Sequence, residues 1–145
     1  MFRHILIPTD GSELAQKAVQ YGIALAKDQK AKVTAVTVHS PFHVATLDAE
    51  MLSDTHKEYD RRAAERAADY LTVVSKAAAA AGVGCETVSL EHDHAYQALI
   101  DCAQDRQCDL IVMASHGRSG ASAILMGSQT TKVLTHSKVP VLVYR

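Results

Sequence analysis

The chain has 145 residues, 21% of them charged, with 15 Lys and Arg against 16 Asp and Glu for a formal net charge of −1. That length suits one domain burying roughly two-thirds of its unfolded surface without a disulfide or metal staple, so a single domain over residues 1–145 is expected. The near balance of charge leaves no basic footprint and no acidic tail, which speaks against nucleic acid as a partner.

The amino terminus, MFRHILIPTD, holds a short apolar run before Pro8 and Asp10, far short of a signal-peptide core or a membrane span. The expected address is therefore cytoplasmic, with no membrane partner. Residues 4 to 8, HILIP, are continuously apolar, as a strand buried on both faces of a parallel sheet is. After PTDGS, Leu14, Ala15, Ala18, Val19, Ile23 and Ala26 fall at helical spacing, and Ser12 is placed to cap a helix running to about residue 28.

Residues 32 to 40, KVTAVTVHS, are rich in branched side chains and stop before Pro41, which predicts a second strand and then an irregular stretch. From Glu50 to Ala81 there is neither Gly nor Pro. Ala63, Ala67, Leu71 and Val74 share one stripe of a long helix that Gly82 ends. CETVSL, residues 85 to 90, resembles a third strand, and Asp93 is placed to cap a third helix carrying Tyr96, Leu99, Ile100 and Ala103. CDLIVMAS, residues 108 to 115, is a second doubly buried run. A glycine-bearing loop, a short helix from Gln129 to Ser137 and a closing strand in VPVLVYR complete the order βαβαβαβαβ.

Alternation at this spacing requires right-handed crossovers. The fold class is α/β, a doubly wound five-stranded parallel sheet with helices on both faces. Ligands of such sheets sit beyond the carboxyl ends of the strands, where strand order reverses. Attention therefore falls on the segment after the fourth strand, with Gly117, Gly120 and Gly127, the last followed by Ser128. Glycine admits close backbone approach and positive φ, and a helix start presents unpaired N–H groups with partial positive charge. Phosphate suits both. Ser128 could donate its hydroxyl, and Gln129 and Thr130 further N–H groups. The segment lacks the GxxxxGK[ST] of a P-loop, and no GxGxxG follows the first strand.

MASHGRSGASAILMGSQTTKVLTHSKVPVLVYR and the amino-terminal ILIPTDGS resemble the two ends of universal stress proteins. ATP-binding members carry GxxG, nine residues, then G and Ser or Thr. Gly117, residues 118 to 126, Gly127 and Ser128 match that pattern, while its first glycine falls on Ala114. The resemblance implies an adenine nucleotide alpha hydrolase-like fold with strand order 3-2-1-4-5, ATP as ligand, with Mg²⁺ as its companion, and a homodimer through the last strand. It implies Asp10 near ribose and adenine, main-chain bonds from Val38 to adenine, and Pro8 and Thr9 in the wall. Met113, Ala114, His116, Gly117 and Arg118, with Gly127, Ser128, Gln129 and Thr130, would hold ribose and phosphates.

Plainer readings stand beside these. Glycines at a strand-to-helix connection can serve the turn alone, Asp10 is an ordinary turn residue, Val38 is ordinary core, and His116 and Arg118 are ordinary solvated loop residues. A methyl at Ala114 would disfavour nucleotide, leaving a dimeric interaction module. A slow ATPase or self-phosphorylating protein, with Ser128 as the hydroxyl, is a third reading, although neither a Lys nor a general base stands out at the phosphate end. His92 and His94 read as polar residues of a junction rather than metal ligands, and Cys85, Cys102 and Cys108 as reduced thiols, lacking CxxC spacing.

Overall fold

The computed structural model describes residues 1–43, 49–118 and 126–145. Its elements run β1 (His4–Pro8), α1 (Glu13–Gln29), β2 (Lys32–His39), α2 (Ala49–Ala81), β3 (Cys85–Glu91), α3 (Ala95–Asp105), β4 (Leu110–Ala114), α4 (Ser128–His136) and β5 (Val141–Tyr144). The strands form one parallel sheet in the order β3-β2-β1-β4-β5. Order reverses between β1 and β4, which fixes where their carboxyl ends open a crevice.

The apolar runs of β1 and β4 serve two faces at once, because successive side chains point to opposite sides of a strand. Ile5 and Ile7 pack with Val19 and Ile23 of α1 and with Leu71 and Val74 of α2. Between them, Leu6 faces the other way, into Leu99 and Cys102 of α3 and Val133 of α4. Each such residue is buried and Leu6 completely so, and truncating Leu6 to Ala removes transfer energy and leaves a cavity, costing about 2–5 kcal/mol. Gly22 lets α1 lie against β1, since a Cβ there would stand 2.6 Å from Ile7 Cδ1.

Boundaries follow local chemistry. Ser12 caps α1 by accepting the Ala15 N–H at 3.2 Å. Gly82, at φ +73°, ends α2 in a left-handed conformation. One cap differs from expectation: His94, not Asp93, is the N-cap of α3, and it makes no side-chain cap bond. The Asp93 carboxylate is instead engaged by His43 Nε2 at 2.7 Å.

β4 is also shorter than the apolar run, because Asp109 turns its carboxylate back to accept N–H bonds from Arg3 at 2.9 Å and His4 at 3.0 Å. Beside it the buried His4 ring places Nε2 2.7 Å from Thr34 Oγ1. The amino end of the sheet is closed by these bonds.

Candidate functional site

At the carboxyl end the crevice between β1 and β4 widens into a cavity of about 380 Å³, within the size range of small-molecule sites. Pro8, Thr9 and Asp10 enter it from the end of β1, Val38 from β2, and Met113 and Ala114 from β4. His116, Gly117 and Arg118 follow β4 along the rim, and Gly127, Ser128, Gln129 and Thr130 close the far side at the start of α4. Every site residue singled out from sequence therefore borders one space. Gly120 and the rest of residues 119–125 lie outside the described residues.

The sequence reading missed Ala15, Val36, Ala95 and Leu99. Val36 could have been found: it lies two residues before Val38 on one strand and so shares its face. Ala95 and Leu99 are four apart on α3 and share a helical face in the same way. Nothing in the sequence marks Ala15 beyond its place in the first turn of α1.

The first turn of α4 is a polar wall of the cavity, across from Thr9 and Asp10. Gly127 N–H bonds to Ser115 O at 2.7 Å and Thr131 N–H returns to Gly127 O at 3.0 Å. Among the described residues no acceptor meets the N–H groups of Ser128, Gln129 or Thr130, and Gly127 as N-cap offers no side chain to them. Unpaired amides at a helix start carry partial positive charge and suit an anion. Two side chains of this turn fix it in place: Thr130 Oγ1 donates to Ala114 O at 3.0 Å, and Gln129 Oε1 accepts the Tyr96 N–H at 3.0 Å.

The glycines act here by proximity rather than by unusual φ. Gly127 has φ −61°, and a Cβ on it would meet His116 Cα at 3.1 Å and Ser115 O at 3.3 Å. A Cβ on Gly117 would overlap the Asp10 carboxylate. Asp10 is itself engaged, its Oδ1 accepting Ser12 N–H at 3.0 Å and its Oδ2 accepting Arg118 N–H at 2.8 Å. The carboxylate thus tethers the loop that leaves β4. Positive φ belongs instead to Gly11, where a Cβ would also overlap the ring of Tyr70. That ring carries the Arg118 guanidinium 5.2 Å from its centroid. Ala114 sits in β4, in register with Tyr144, on ordinary extended backbone, so its methyl group carries no backbone strain.

The histidines and thiols lie elsewhere. His92 Nδ1 accepts the His94 N–H at 2.8 Å, and among the described residues no group of three His, Cys, Asp or Glu side chains is placed to hold a metal. Cys85, Cys102 and Cys108 are free thiols. Burial pushes the Cys102 thiol up, and burial with Cys102 as neighbour pushes Cys108 up to about 11, so neither is reactive at neutral pH. No helix among the described residues is long and apolar enough to cross a membrane.

The sequence matches the universal stress protein family over residues 1–145. The chain belongs to that family. It is 33% identical over 149 residues to the universal stress protein MJ0531 of Methanocaldococcus jannaschii, a match spanning all of this chain and 83% of the relative. The solved structure of MJ0577, a universal stress protein of the same organism, superposes with a TM-score of 0.83 at 26% identity, covering 99% of this chain and 96% of the other. A universal stress protein solved in complex with cAMP superposes at TM-score 0.72 and 24% identity over 99% of this chain and 97% of its own, a likeness of fold.

Proposed function

We propose that this universal stress protein holds an adenine nucleotide, ATP, in the cavity at the carboxyl end of the sheet, and that occupancy sets the conformation of the loop after β4. The reading is carried by one observation. Three main-chain N–H groups at the start of α4, those of Ser128, Gln129 and Thr130, have no acceptor among the described residues and border a cavity whose other walls are largely apolar. The triphosphate would lie on that helix start. The base would lie among Val36, Val38, Leu99 and Met113, where apolar side chains strip water and the end of β2 offers main-chain groups to an adenine edge. The fold supports the adenine assignment, since the relative solved with cAMP shares it.

Asp10 is the single carboxylate of the lining among the described residues, and both of its oxygens already accept main-chain N–H groups. A Mg²⁺ accompanying the nucleotide would therefore be held by phosphate oxygens and water rather than by a protein cage. Binding, not turnover, is proposed.

Equilibrium binding of labelled ATP to nucleotide-free protein tests the proposal: saturable binding below millimolar concentration is expected, and its absence removes ATP. Ala114→Gly separates a binding protein from a relative that has lost the ligand. Unchanged affinity is expected, because Ala114 occupies extended backbone, whereas binding created only by glycine would favour the interaction-module reading.

The proposal extends to a cytoplasmic, single-domain chain that pairs β5 edges in a homodimer. Val141, Leu142, Val143 and Tyr144 form the terminal strand of the sheet, apolar and only half-buried. Sedimentation showing a monomer at every concentration would remove the dimer.

A further inference from the structure

The opposite edge of the sheet differs in chemistry. β3 has seven residues and is the outermost strand, with β2 as its one partner among the described residues. Val33 N–H bonds to Gly84 O at 2.8 Å and His92 N–H to His39 O at 3.0 Å, and the register pairs Val33 with Cys85 through His39 with Glu91. In a parallel ladder each residue turns both main-chain groups to one side and the next residue turns both to the other. Glu86, Val88 and Leu90 therefore face β2. Thr87, Ser89 and Glu91 turn their N–H and C=O groups outward, and all three are exposed.

Grooves border this edge on both faces of the sheet. On the α3 side, about 510 Å³ of space lies over Val88, Leu90 and Ala98, rimmed by Asp101 and Asp105. On the α2 side, about 640 Å³ lies over small side chains that include Ala64, Ala68, Thr72 and Ser75. A strand added to β3 would send alternate side chains into the two grooves.

Charge selects the occupant. Around the α3 groove Glu91, Asp101 and Asp105 outnumber Arg106, which is ion-paired to Glu86 on the same strand with Lys32 nearby. His39 meets Glu91 at 3.5 Å and His92 lines the groove, so Asp101 and Asp105 are the carboxylates left without a cationic partner among the described residues. A second copy would set these carboxylates against their own kind, a disfavoured pairing at a strand edge.

We infer that the β3 edge docks an extended segment of a basic partner protein, with Lys or Arg side chains entering the α3 groove and small apolar side chains entering the α2 groove. The segment bonds to the outward groups of Thr87, Ser89 and Glu91. This surface lies apart from the nucleotide cavity and does not depend on it.

Amide hydrogen exchange on the full chain, with and without a synthetic peptide of alternating Lys and Val, is the test. Exchange at Thr87, Ser89 and Glu91 should slow at least about tenfold with this peptide and stay unchanged with a Glu-Val peptide. Asp101→Lys with Asp105→Lys, both on the surface of α3, should weaken the Lys-Val peptide by about tenfold or more. Ser89→Pro removes an outward donor without touching the β2 ladder and should weaken it too. Unprotected amides under excess peptide, equal binding of the Glu-Val peptide, or indifference to the charge reversal would overturn the inference. So would protection that rises with protein concentration in the absence of peptide, which would assign the edge to a second copy.

Discussion

The two ends of the parallel sheet are made from the same strands and differ in where their polar groups find partners. At the amino end Asp109 accepts the N–H groups of Arg3 and His4, and the buried His4 ring meets Thr34, so the chain completes itself. At the carboxyl end Asp10 completes only the turn and the loop, and the first turn of α4 is left with amides for which no described residue supplies an acceptor. The lesson is that a binding site is legible as donors left over. Burial alone does not distinguish the two ends, since β1 and β4 are almost wholly buried along their length.

The contrast breaks most completely with Gly127→Val. The added side chain would press on His116 Cα and Ser115 O and lift α4 from the end of β4. ATP affinity should fall by about a hundredfold or more in a binding titration, the loss of an anion contact made by several amides at once. Asp10→Ala is next: it frees the Arg118 and Ser12 N–H groups, and ATP affinity should fall about tenfold as the loop loses its tether. Asp109→Ala cuts the other way. It should lower unfolding stability by about 1–3 kcal/mol in urea titration while leaving ATP affinity unchanged, because its partners lie at the closed end.

The pH response sharpens the same comparison. Burial, with Lys32 nearby, holds the His4 imidazole below its usual value of 6.5. The unfolded chain therefore binds the proton more readily, and stability should decline as pH falls from 6.5 through the lower folded value. In thermal melts the gap between the natural chain and His4→Gln should change through that window and stay constant above it. Burial works to raise the Asp109 carboxyl, but N–H bonds from His4 and Arg3 outweigh it and hold the group below 3.8, so its contribution is lost only in stronger acid. Smallest of all is Ser128→Ala, which deletes a hydroxyl and keeps the amide. A change of about threefold in ATP affinity is expected, or about 0.7 kcal/mol.

Much of this was readable before any coordinates. The runs HILIP and CDLIVMAS announced doubly covered strands, and the glycine spacing with Ser128 led to the wall of one cavity. What escaped was relational. The Asp93 cap failed because His43, fifty positions away in sequence, engages that carboxylate. The glycines were read for close approach to a ligand and for positive φ, whereas Gly117 and Gly127 are small because the protein's own Asp10 and His116 stand against them. No local pattern records a neighbour brought in by the fold.

Tyr70 draws a consequence from that crowding. Its ring occupies the volume a β-carbon on Gly11 would need and supports the Arg118 guanidinium, so it touches the turn after β1 and the loop after β4 at once. With no tryptophan in the chain, phenolic emission is the native optical signal, and Tyr70 is one of five sources. Were the proposed ATP to draw Arg118 toward its phosphates, that ring would be uncovered, and tyrosine emission would become an unlabelled gauge of occupancy that Tyr70→Phe would silence.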